Sequence, residues 1–385
     1  MKNKYLPKYL QLIGVLLVMV VVSCKKDKTT NKTNIINATA TSIGLFEDKD
    51  SVDANDVYYR IYIPLTKVGT QTVNYDEVFD TGSAGLTLDA QGIIPASMIT
   101  ANGFNFTGDS TVVNGVTIIS KKAVMEYGDK ISGTNVYGNI AYTNITIGDP
   151  SSGNVSIKRV PFFLYYKVVD LENGDSTTET MHHTADIFGV SPEYSYASTL
   201  IQSPLSYYTP GTGLTNGFKL AKLIKPDFTN AGVFEQSLLT IGLTSADLNS
   251  SGFIMHNYSS SYKNTDGYSP DIPGTITYLD PNTNATNTVS ATFLFDTGTP
   301  QLSIIEDPTA KTTNFIGTLP VGTPITLKTQ DGFSYSYTTA KTTNLTEVNT
   351  PLNTNDYRTI FSLEFFTDNE FLTNYTGYQI GLKNN

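Results

Sequence analysis

From about Thr41 to the end of the chain, short apolar and β-branched stretches alternate with clusters of Gly, Asn, Asp, Ser and Thr. Val57 to Ile63, Val112 to Ile119, Ile145 to Ile147, Val160 to Tyr166, Leu238 to Leu243, Thr275 to Leu279 and Ile325 to Leu327 have the length and composition of strands. Strand and turn signals at this density predict an all-β fold. Helical stretches are few. The best are Ser195 to Ser203 and Glu306 to Asn314, and both read as short connectors.

The N-terminus breaks the pattern. Lys2, Lys4 and Lys8 precede a run from Leu10 to Val22 that is apolar except at Gln11 and Gly14. The run is short for a transmembrane helix and right for a signal-peptide core. It ends Val21-Val22-Ser23-Cys24, which resembles a bacterial lipobox, in which the Cys becomes the lipidated first residue. Cys24 is the chain's one cysteine, so no intramolecular disulfide can form. Residues 1–23 therefore read as a lipoprotein signal peptide. Residues 24–40 are polar without an apolar period and read as a flexible tether. This predicts an extracytoplasmic protein held on the bacterial cell envelope, at the outer membrane or cell surface, by an acyl chain such as palmitate on Cys24.

One pattern recurs within the chain. Val73 to Leu88 reads VNYDEVFDTGSAGLTL, and Val289 to Ile304 reads VSATFLFDTGTPQLSI, aligned without gaps at a shift of 216 residues. Val73 matches Val289, Phe79 matches Phe295, and Leu86 matches Leu302; Ser83 and Thr299 are like for like. One repeat unit in each half marks a duplicated, two-lobed chain and not a solenoid.

Each copy is an apolar strand, then Asp-Thr-Gly, then Ser or Thr, then a second apolar strand. The glycine permits a tight turn and a close approach of backbone. Two such loops facing each other would bring Asp80 and Asp296 together. Like charges about 3 Å apart cannot both ionise, so the two would share a proton. One carboxylate can then act as base toward a water while the other acts as acid toward a carbonyl oxygen. That chemistry hydrolyses an amide with no metal, cofactor or covalent intermediate. The bland alternative is a pair of Asp-Gly-type turns closing two strands.

The two segments resemble the active-site segments of the pepsin-like aspartic peptidases, and the likeness runs from about residue 55 to the C-terminus. It implies a bilobal fold of two pseudo-twofold-related β lobes with a cleft between them: residues 41–245 with a flap, then residues 246–385. It also implies that Asp80 and Asp296 are catalytic. Thr81 and Thr297 would interlock beneath them, Ser83 and Thr299 would hydrogen-bond the outer carboxylate oxygens, and Gly82 and Gly298 would supply backbone N–H groups. Met125-Glu126-Tyr127-Gly128-Asp129 resembles the family's flap hairpin, with Tyr127 and Gly128 over the substrate. Asp186-Ile187-Phe188-Gly189-Val190 resembles the segment that crosses behind the first loop, and Ile360-Phe361-Ser362-Leu363 its second-lobe counterpart. Tyr378 to Leu382 resembles the final strand, and Leu238 to Leu243 the strand entering the inter-lobe sheet. The chain departs from the family at two places. Ser362 replaces a glycine, and the Trp partner of the flap tyrosine falls at Thr87 in a chain with no Trp. The flap's support must therefore differ.

Other chemistry is thin. The formal net charge of −10 argues against a nucleic-acid partner. His182 and His183 are adjacent and would face opposite ways on a strand, and His256 stands alone, so no metal is expected. Two readings remain. The first is an aspartic endopeptidase, a monomer that binds an extended peptide or protein in its cleft. The alternative is a non-catalytic surface lipoprotein that holds a peptide, protein or glycan on the same fold.

Overall fold

The computed structural model describes residues 39–51, 57–128, 132–172, 175–179, 182–260, 267–299, 302–310, 315–341, 343–354 and 356–385. The expected signal peptide, Cys24, the tether up to residue 38 and the flap tip at 129–131 lie outside the described residues.

The protein is nearly all β, built on one sheet of 15 strands and one of 8 among the described residues. Strand Val57–Val68 shows why the pattern works. Ile61, Ile63 and Leu65 alternate inward and are fully buried. The strand pairs antiparallel with Thr41–Ser51 on one side and Gln71–Asp80 on the other. The link to Gln71–Asp80 turns at Gly69, at φ +60, where an added Cβ would sit 2.3 Å from the Asn114 carbonyl. In the same sheet, Val233–Leu243 lies between Thr41–Ser51 and Thr215–Leu220. The C-terminal strands Asn369–Asn374 and Gln379–Asn384 join it next to Thr215–Leu220.

Each lobe holds its Asp-Thr-Gly loop in the same way. In the first, Gln71–Asp80 and Ala84–Asp89 flank the loop, yet they do not pair with each other. Ile187–Val190 runs between them, parallel to one and antiparallel to the other. In the second, Arg358–Phe361 separates Thr286–Phe295 from Leu302–Glu306 with the same two orientations. A third strand thus wedges each loop open and pins both of its ends. Phe79 packs edge-on against Phe218, while Phe293, Phe295, Phe361 and Phe365 form the corresponding cluster behind the second loop.

Three local expectations are corrected. Val112 to Ile119 is not one strand but a hairpin, Ser110–Val113 with Val116–Gly128. Asn114 and Gly115 form its turn, both at positive φ, which suits the twist of the flanking strands. Ser195 to Ser203 is not helical. Tyr194–Ser195 pairs with Ser198–Gln202, because the Ser195 and Ser198 hydroxyls accept the Ala197 and Leu200 N–H groups a helix would need. Glu306 ends a strand instead of starting a helix. Asp307 then accepts the Thr309 N–H at 2.7 Å in a side-chain-capped turn, and residues 311–314 lie outside the described residues.

Candidate active site

The two Asp-Thr-Gly loops meet head to head. The Thr81 N–H donates to the Thr297 hydroxyl and the Thr297 N–H to the Thr81 hydroxyl, each at 3.0 Å. Each hydroxyl in turn donates to the carbonyl before the opposite aspartate: Thr81 to Phe295 at 2.7 Å, Thr297 to Phe79 at 2.6 Å. Both threonines are buried, so each N–H and hydroxyl is satisfied by the opposite loop, from residues 214 to 218 apart in sequence.

This interlock sets the carboxylates. The Gly82 N–H donates to Asp80 Oδ1 and the Gly298 N–H to Asp296 Oδ1, both at 2.7 Å. The Ser83 hydroxyl donates to Asp80 Oδ2 at 2.5 Å and the Thr299 hydroxyl to Asp296 Oδ2 at 2.7 Å. The glycines are required by proximity. A Cβ on Gly82 would lie 2.3 Å from Asp296 Cγ, and one on Gly298 would lie 2.6 Å from Asp80 Cγ. Each carboxylate therefore sits against the other loop's backbone.

The two are not equivalent. Asp80 is 7% exposed, whereas Asp296 is half-buried. Burial, then the charge of Asp296 and a hydrogen bond with it, pushes the Asp80 carboxyl up to about 8, against the opposing pull of Ser83 and Gly82. The pair titrates as one system, and burial weights its proton toward Asp80, the more desolvated member.

Tyr127 and Gly128 lie at the end of the Val116–Gly128 strand, opposite Thr134 and Gly133 of Ser132–Ile147. The Tyr127 hydroxyl bonds the Thr87 hydroxyl at 2.7 Å, so the residue at the position of the missing Trp itself tethers the flap. The matching repeat residue, Ser303, donates to or accepts from Ser362 at 3.3 Å and accepts the Ser362 N–H at 3.2 Å. Ser362 is thus accommodated, fully buried, where the first lobe has Gly189.

The histidines lie elsewhere than expected. His182 and His183 are in a bend, with His183 at φ 59, so the two do not face opposite ways across a strand. Both approach one acidic pair. His183 Nδ1 is 2.5 Å from Asp186 Oδ2, and His182 Nδ1 is 3.5 Å from Asp89 Oδ2. The hydrogen bond to Asp186 holds the His183 imidazole above its ordinary value. His256 is buried, with Nε2 2.8 Å from the Thr329 hydroxyl.

Two features escape sequence reasoning. Arg60, half-buried, crosses the lobes and donates from its guanidinium to the Gly298 carbonyl. It also lines a cavity of about 250 Å³ with Tyr62, Asp76, Val78, Asp80 and Ile187. A lone charge inside the run VYYRIYIPL was the available signal. Tyr337 is the second, its hydroxyl bonded to the Thr346 hydroxyl at 2.8 Å.

The fold is that of the bilobal aspartic proteinases. A crystal structure of the aspartic proteinase from Irpex lacteus superposes with a TM-score of 0.51 over 90% of this chain and 97% of that one, at 16% identity. No protein-family model matches the chain, and no curated protein does.

Proposed function

We propose that the protein is an aspartic endopeptidase. The observation that carries this reading is the facing pair of carboxylates on a reciprocal threonine interlock, with one carboxyl pushed toward its protonated form. Asp296, the more open of the two, takes a proton from a bound water. Asp80 donates its proton to the carbonyl oxygen of the peptide bond as the water attacks. In the collapse Asp296 gives the proton it took to the departing amine, one hydroxyl of the tetrahedral carbon returns its proton to Asp80, and the pair is back in its single-proton state. The backbone N–H groups of Gly82 and Gly298 and the hydroxyls of Ser83 and Thr299 hold both carboxylates through the cycle without reorganising.

The pair works only while it holds one proton. Activity on a peptide library should therefore persist through neutral pH and fall as the pH rises through about 8, where Asp80 loses its proton. A statine-type analogue, whose hydroxyl replaces the attacking water, should compete with substrate over the same range. Cleavage that rises steadily beyond that pH, or is indifferent to the analogue, would count against the dyad. We place the enzyme at a membrane surface through acylation of Cys24. Labelled palmitate should enter the wild-type chain and not Cys24→Ser, and the variant should move to the soluble fraction. Equal labelling of both would remove the anchor from the proposal.

A further inference from the structure

The cavity beside Asp80 has unusual walls for a place where a substrate side chain would rest. Val78 and Ile187 supply apolar surface, but Arg60, Asp76, His183, Thr184 and Asp186 supply polar groups. Asp186 and His183 are already engaged. Asp186 accepts from the Asp89 N–H at 2.8 Å and the Tyr165 hydroxyl at 2.8 Å, and its other oxygen faces His183 Nδ1 at 2.5 Å. Two charged groups, and the Thr184 hydroxyl, remain open. The Arg60 guanidinium has five donors and accepts nothing, and its bond to the Gly298 carbonyl uses one of them. Among the described residues, neither Arg60 nor Asp76 has an ion-pair partner. The cavity therefore offers unused donors from Arg60 and unused acceptors from Asp76. About 250 Å³ is room for one side chain and less than a typical small-molecule pocket.

We infer that this cavity receives the side chain of the substrate residue adjoining the cleaved bond and selects a carboxamide, Gln or Asn, through Arg60 and Asp76. This rests on the endopeptidase reading. A carboxamide is neutral and carries both an acceptor for Arg60 and a donor for Asp76. Arg60 is half-buried and Asp76 exposed, so an apolar side chain of the same length would displace water from both and replace none of its hydrogen bonds. A carboxylate would face Asp76, Asp186 and Asp80, and an ammonium would face Arg60. Of the alkyl, carboxylate, ammonium and amide side chains, the amide alone meets both charged groups without a like charge.

The test uses the full-length protein and four peptides with a reduced, non-hydrolysable bond, differing only in the adjoining residue: Gln, Leu, Glu or Lys. The Gln peptide should bind roughly tenfold or more tighter than the Leu peptide. In Arg60→Met that preference should vanish. Equal affinities, no binding, tighter binding of Leu, Glu or Lys, or a Gln preference that survives Arg60→Met would each overturn the inference. The wild-type comparison alone suffices to do so, should the variant fold poorly. Hydrolysable versions of the same peptides separate the two proposals. Cleavage that Asp80→Asn abolishes, but that shows no Gln preference, sinks the selectivity alone. Gln-selective binding without cleavage of any peptide sinks the endopeptidase reading alone.

Discussion

Asp296→Asn should lower kcat/KM for peptide cleavage by about a thousandfold or more, the scale of a lost general base. Asp80→Asn should do the same, and the double variant should be no worse than either, because the two carboxylates act as a unit. Neither loss should come from unfolding. The carboxamide introduced by Asp296→Asn keeps an oxygen for the Gly298 N–H, which now meets Asp296 Oδ1 at 2.7 Å. For Asp80 the sign is the opposite of destabilisation. Its folded-state carboxyl is raised well above its unfolded value, so the unfolded chain ionises first and folding is disfavoured increasingly as the pH climbs toward about 8. The neutral amide removes that penalty. Thermal denaturation at pH 8 should therefore find Asp80→Asn as stable as wild type or more so, while cleavage is gone. Turnover that survives in both single variants would mean that cleavage does not run through this pair of carboxylates.

Thr297→Val should cost about 2–4 kcal/mol of stability, read from urea denaturation, although valine matches threonine in shape. The change deletes the acceptor of the Thr81 N–H and the donor to the Phe79 carbonyl, and both orphaned groups stay buried. Thr81→Val should cost a similar amount. The double variant should cost less than the sum, since the two hydroxyls belong to one network. Thr297→Ser keeps the hydroxyl and should stay close to wild type. A cost under about 0.5 kcal/mol for Thr297→Val would mean that the lobes are held by their aromatic packing and not by the interlock.

The part of the site that was legible in the sequence is the part written twice. Because Val73 to Leu88 and Val289 to Ile304 are copies, whatever one loop does the other must mirror, and the reciprocal bonds between Thr81 and Thr297 follow from that symmetry. The long apolar strands were legible as well, since burial on one face writes itself as alternation. What failed was decided by local polar competition. Ser195 to Ser203 carries a helix-compatible composition, but its serine hydroxyls take the N–H groups first. The Val112 to Ile119 error had a visible cure, the Asn114-Gly115 pair, whose preference for positive φ outranks the β-branched residues around it. Arg60 could not be placed at all, because its partner is a backbone carbonyl 238 residues away, and a carbonyl leaves no mark in the sequence.

The same distance has a consequence for the order of assembly. A chain emerging from the ribosome presents Asp80 long before Asp296. Strand Thr215–Leu220 needs Asn369–Asn374 at its edge, so even the larger sheet stays open until the last stretch arrives. Contacts of such long range make folding slow. They also mean that the half-made chain carries Asp80 without the loop that faces it. On the proposed reading, no peptide can be cut until the final strands close.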